Sequence, residues 1–93
     1  MKINEIENNI ENFESHMTVY FNKETGLIVG CPTGIHDMSN YKNHDPALLE
    51  IWDYEILPLD LDVIYNRHNF RIKNGELHLI SNLEKNKYKI IEI

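Results

Sequence analysis

Two glycine-bearing turns, each flanked by apolar strand-forming residues, constrain this chain more than anything else in it. The stronger is Asn74-Gly75, set between Phe70-Arg71-Ile72-Lys73 and Glu76-Leu77-His78-Leu79. A two-residue type I′ hairpin needs positive φ at both central positions, and Asn-Gly supplies this at least cost. That turn dictates a register. Lys73 falls opposite Glu76, Arg71 opposite His78, Ile72 opposite Leu77 and Phe70 opposite Leu79. The Lys73/Glu76 surface is polar and the Phe70/Leu79 surface apolar, as a half-buried antiparallel pair requires. The second turn is Asn22-Lys23-Glu24-Thr25-Gly26, between β-branched and aromatic residues at 18–21 and 27–29. Here the Asn22 side chain can accept from the backbone ahead, and Gly26 can take the positive φ that closes the loop.

Other elements follow from periodicity and punctuation. Ile3, Ile6, Ile10, Phe13 and Met17 recur at spacings of three and four, which predicts an N-terminal amphipathic helix. The same stripe matches a two-heptad seam and offers a homodimer contact. Asn4, Asn8, Asn9 and Asn12 are mediocre helix formers, so this helix needs tertiary support. Residues 30–44 read as a long loop broken by Gly30, Pro32 and Gly34. Asp45-Pro46 reads as a helix start, giving a short helix over 46–52 and then a strand to Leu57, stopped by Pro58. A last strand is expected over 88–93, joined through Glu84-Lys85-Asn86. The expected fold is a single α+β domain spanning residues 1–93, with the N-terminal helix packed on a small antiparallel sheet built from hairpins.

Composition narrows the function classes. At 42% hydrophobic and 10% aromatic, the 93 residues form a globular domain with a modest core. Cys31 is the single cysteine, so no intrachain disulfide is possible and a reducing cytoplasm is expected. No basic leader precedes an apolar run, and no stretch of roughly 18 apolar residues exists, so neither a signal peptide nor a membrane span is expected.

The net charge of −6 is unevenly written along the chain. Residues 43–66 hold no Lys or Arg, while Asp45, Glu50, Asp53, Glu55, Asp60 and Asp62 all fall there. The C-terminal stretch is basic. Direct binding to a nucleic-acid backbone is disfavoured, because phosphate contacts need clustered Lys and Arg. A protein with a basic surface is the more natural partner. Glu50, Trp52, Asp53, Tyr54, Glu55, Asp60 and Asp62 are the candidate partner-binding residues, since aromatics anchor interfaces and carboxylates meet Arg or Lys. Against this stands the plainer reading, in which Trp52 and Tyr54 are core and the acids are solvated.

Catalytic chemistry finds little support. There is no phosphate-binding loop, dinucleotide fingerprint, zinc-finger spacing or nucleophile elbow. Cys31 has His36 nearby in sequence but no orienting third group, and a buried, inert thiol is expected. His36, Asp37 and His44 suggest a metal or ligand site in the long loop, yet their spacing matches no compact ligand motif. The residues serve equally as caps and turns. No enzyme activity, cofactor or metal is therefore expected.

The stretches YFNKETGLIVG, residues 20–30, and NFRIKNGELHLI, residues 69–80, resemble segments of small phage and prophage proteins from AT-rich genomes. In those proteins an N-x-E-T-G turn comes early and a G-x-L hairpin closes the chain. The resemblance implies either an intracellular inhibitor of a host defence complex, such as an anti-CRISPR protein, or a virion or tail accessory subunit. It brings no site residues with it. The expectation is a non-enzymatic inhibitor acting through its acidic surface. The alternatives are the structural subunit, oligomeric through the 3–17 stripe, and a metal- or ligand-binding protein using the 36–44 loop.

Overall fold

The computed structural model describes residues 1–80 and the two-residue strand Lys89–Ile90. The fold is α+β, with short helices around two three-stranded sheets. The first sheet has β1 (His16–Asn22) at its centre, flanked by β2 (Ile28–Gly30) and β3 (Trp52–Pro58), all antiparallel. The second holds β4 (Phe70–Lys73), β5 (Glu76–Leu79) and β6 (Lys89–Ile90).

Both turns behave as their chemistry dictates. Asn74 and Gly75 have φ of 54° and 75°, and the β4–β5 register pairs Phe70 with Leu79, Arg71 with His78, Ile72 with Leu77 and Lys73 with Glu76. At the other turn, Asn22 Oδ1 accepts from the amides of Glu24 and Thr25, at 2.8 and 3.0 Å, and Gly26 has φ of 76°.

The single antiparallel sheet expected from sequence is instead two. They are joined at the tip of the first hairpin, where Leu27 forms an isolated bridge with Arg71 and Ile72 N–H donates to Gly26 O at 2.9 Å. β6 runs parallel to β5, so it does not continue a meander. The expected Glu84-Lys85-Asn86 turn, and all of the expected 88–93 strand except Lys89–Ile90, lie outside the described residues.

Alternation along β1 creates two cores. Met17, Val19 and Phe21 face one side and pack with Phe70, Ile72 and Leu79 of the second sheet, together with Val63 and Cys31. Val63 comes from α4 (Leu61–Tyr65), started by Asp60, whose carboxylate accepts from Asp62 N. Thr18 and Tyr20 face the other side with Ile56. That side is covered by residues 31–38 and by α2 (Ser39–His44), which occupies the second half of the expected open loop. A short helix, α3 (Leu48–Ile51), then leads directly into β3, as the sequence pattern indicated.

The continuous N-terminal helix does not form. Ile3–Glu5 makes one 3-10 turn, Ile6 is extended, and α1 covers only Ile10–Ser15. The asparagines are the reason. Asn9 caps α1 by accepting from Asn12 N at 2.8 Å, and a residue that caps cannot also continue the preceding helix. Met17 is drawn into β1 by the β-branched and aromatic run that follows it. The stripe is therefore dissolved: Met17 is core, while Ile10 is 78% exposed. Residues 3–17 do not present a two-heptad stripe on one continuous helix. Among the described residues, no helix is long and apolar enough to cross a membrane.

Candidate functional site

The outer face of the first sheet carries a well-formed concavity. Thr18 Oγ1 donates to Gly34 O at 2.9 Å and accepts from His36 N at 3.0 Å. Tyr20 O–H donates to Asp37 O at 2.7 Å. These bonds hold residues 31–38 against the strand and give α2 a fixed start, where Asp37 accepts from the amide and hydroxyl of Ser39. Those two bonds hold the Asp37 carboxyl below its ordinary pKa. Tyr41 of α2 then packs edge-on between Tyr20 and Trp52, with ring centroids 4.9 and 5.1 Å away. Burial, then neighbouring Tyr41 and Asp37, push the Tyr20 phenol up to about 12. A cleft of about 430 Å³ opens beside this stack, lined by Tyr20, Pro32, His36, Asn40, Tyr41 and His44.

His36 and His44 thus do meet at one cleft, but not as metal ligands. His36 Nε2 is 2.9 Å from Thr33 O, and Asp37 is occupied by Ser39. No group of three His, Cys, Asp or Glu among the described residues is placed to hold a metal ion. Cys31 is buried, 3.6 Å from Met17 Sδ, and burial pushes its thiol up to about 11. The folded protein should therefore resist iodoacetamide at pH 8 and react promptly once unfolded in guanidinium. Rapid alkylation under native conditions would contradict this burial.

The candidate partner-binding residues separate into three groups. On β3, Trp52 and Tyr54 are half-buried on the aromatic side of the sheet and belong neither to the core nor to the open surface. Asp53 and Glu55 are engaged internally. Lys2 Nζ lies 3.0 Å from Asp53 Oδ1 and 3.3 Å from Glu55 Oε1, and the Met1 amino group lies 2.6 Å from Glu55 Oε2. Lys2 also donates to Tyr54 O and sits 4.5 Å over the Tyr54 ring. Met1 pairs with Ile56 through both backbone groups, covering the outer edge of β3. Two of the six acids of residues 43–66 are thereby neutralised by the N-terminal residues, a contact spanning more than fifty positions that no local pattern signals.

The other acids lie at opposite ends of β3. Glu50 is exposed on α3, before the strand, and Asp60 and Asp62 belong to α4, after it. Seven strand residues span roughly 20 Å, so these carboxylates do not form one continuous face. At the α4 end Tyr65, an anchor-type aromatic at the close of the acidic segment, is joined by Leu61, which the sequence reading did not single out. Leu61 and Tyr65, one helical turn apart, are 53% and 76% exposed, with Leu59 beside them in sequence. Their i, i+4 spacing, which puts both on one helix face, was the available signal. The chain matches no family model, no curated protein and no solved structure.

Proposed function

We propose that this chain is a non-catalytic protein-binding domain that recognises a basic partner through the α4 end of its acidic segment. The carrying observation is the exposed pair Leu61 and Tyr65 on a helix whose first turn holds Asp62, in a stretch of 24 residues without Lys or Arg. Large apolar side chains at the surface of a small domain are the residue types that anchor interfaces, and surrounding negative potential selects a cationic partner. The resemblance of the two hairpins to phage and prophage proteins points to a host defence complex as the target, with the chain as its inhibitor. Glu50, at the far end of β3, then contributes to steering more than to contact.

The test is quantitative capture from native host lysate with the wild type, Leu61→Ser/Tyr65→Ser, Asp62→Asn and the distant control Lys42→Ser. The double variant should lose its captured protein at least tenfold, as expected for removing two interface anchors. Asp62→Asn should lower affinity and flatten its salt dependence, and Lys42→Ser should do neither. Equal capture by the wild type and the double variant would refute the assignment of this face.

A second reading rests on its own observation, the aromatic cleft under α2. Its size and apolar, aromatic walls suit a small organic ligand. A ligand seated there would raise the melting temperature of the wild type and have no effect on Tyr41→Ala, which removes one wall.

A further inference from the structure

Three cations of this acidic chain are brought together by folding and not by sequence. Lys23, from the first hairpin turn, meets Arg71 and Lys73, from the strand entering the second, around one cleft of about 370 Å³ between the two turns. Glu24 and Thr25 line it too, with Phe21 at its inner wall. Among the described residues Lys23, Arg71 and Lys73 make no ion pair, unlike Lys2, which is fully engaged on β3. Arg71 Nε is buried and has no hydrogen-bond partner among the described residues. A guanidinium nitrogen taken out of water without an acceptor is costly, so its retention in a cleft with two further cations marks a place for an acceptor.

We propose that this cleft binds the phosphate group of a small phosphorylated molecule. Charge decides the class. Three cations less the Glu24 carboxylate leave two positive charges in the lining, the complement of a phosphate monoester near neutral pH. A carboxylate carries half of that. A nucleic-acid strand would have to lay many phosphates along a protein whose net charge is −6, so a single phosphate is favoured over a polyanion. The arginine fork supplies paired donors to two phosphate oxygens, the lysines neutralise the third, and the Thr25 hydroxyl, which accepts from Leu27 N, keeps its O–H for donation. Phe21 and Ile72 offer apolar surface for the organic part of the molecule. This site is distinct from the α4 face and does not depend on it.

The experiment is an amide NMR titration of the isotope-labelled chain at fixed ionic strength with inorganic phosphate, adenosine monophosphate and acetate. Both phosphates should shift the amides of residues 23–26 and 71–75 saturably, and acetate should bind about tenfold more weakly or worse. Lys23→Gln/Lys73→Gln alters two exposed positions that the fold does not need, and should weaken phosphate binding by about tenfold or more. Arg71→Lys keeps the charge but removes the fork, and should also weaken it. Lys42→Gln, outside the cleft, should change nothing. Absence of a saturable shift at those amides, equal binding of acetate, or unchanged affinity in the lysine double variant would each overturn the proposal.

Discussion

Gly26→Ala should destabilise this protein by about 2–5 kcal/mol, adding the cost of a left-handed non-glycine residue to that of overpacking. Gly26 has φ of 76°, and a Cβ placed on it would lie 2.3 Å from Ile72 O and 3.3 Å from the Ile72 carbonyl carbon. Both obstacles are backbone, so no side chain can swing aside. Relief requires β4 to withdraw from the hairpin tip, which breaks the Ile72 N to Gly26 O bond and the Leu27–Arg71 bridge that join the two sheets. In a domain of this size the midpoint of thermal unfolding should fall by roughly 10–30 °C. Gly75→Ala is the control. Its φ is nearly the same, 75°, but the added Cβ would meet only the Glu55 carboxylate at 3.6 Å. It should lose only the conformational part, about 1–2 kcal/mol. Equal losses in the two variants would show that the junction between the sheets is not what Gly26 protects.

The contrast between these two glycines also marks what a sequence reader can see. The Asn74-Gly75 hairpin was legible to the residue, register included, because a type I′ turn fixes φ at two neighbouring positions and the strands then have no freedom to slip. The Asn22–Gly26 turn was legible for the same local reason, and so was the passage from a short helix into a strand at Trp52. Gly26's second role was not, since Ile72 lies 46 positions away and no turn chemistry points to it. Nor was the fate of residues 3–17. Their three-and-four spacing fits a helix, but Asn9 spends its side chain on a cap and Met17 is needed by β1. Pattern identified which residues are apolar and could not say which competing element would claim them. The acidic segment shows a related limit. Its charge count was right, yet Asp53 and Glu55 are held by Lys2 and the Met1 amino group, and β3 carries the others apart. A basic cleft assembled from Lys23, Arg71 and Lys73 cannot be read from a chain whose first two-thirds is acidic or neutral in every stretch.

Thr18→Val should be nearly as damaging as Gly26→Ala, and through the opposite mechanism: nothing clashes, but two backbone groups, one in a buried and one in a part-buried bond, lose their partner. Thr18 has no exposed surface and sits at the centre of the first sheet. Its hydroxyl donates to Gly34 O and accepts from His36 N, and so extends to residues 34–36 the attachment that the backbone bonds Thr18 N to Pro32 O and Gly34 N to His16 O begin. Valine fills the same space and supplies neither bond. Each backbone group left without its partner costs about 1–3 kcal/mol, giving roughly 2–5 kcal/mol in all. The structural consequence should be local. Without its anchor the 31–38 segment loosens, the Tyr20 O–H to Asp37 O bond is lost with it, and the cleft under α2 opens to water. Hydrogen exchange separates this from a general loss of stability. The His36 amide should exchange far faster in Thr18→Val, while the amides of Ile72 and Leu79 in the second sheet follow global unfolding. Tyr20→Phe, which removes one bond and leaves Thr18 intact, should cost only about 1 kcal/mol and spare the His36 amide. Wild-type stability in Thr18→Val together with an unchanged His36 exchange rate would mean that the loop is held by its backbone pairing with β1 and by its apolar contacts, Ile35 foremost, and not by this hydroxyl.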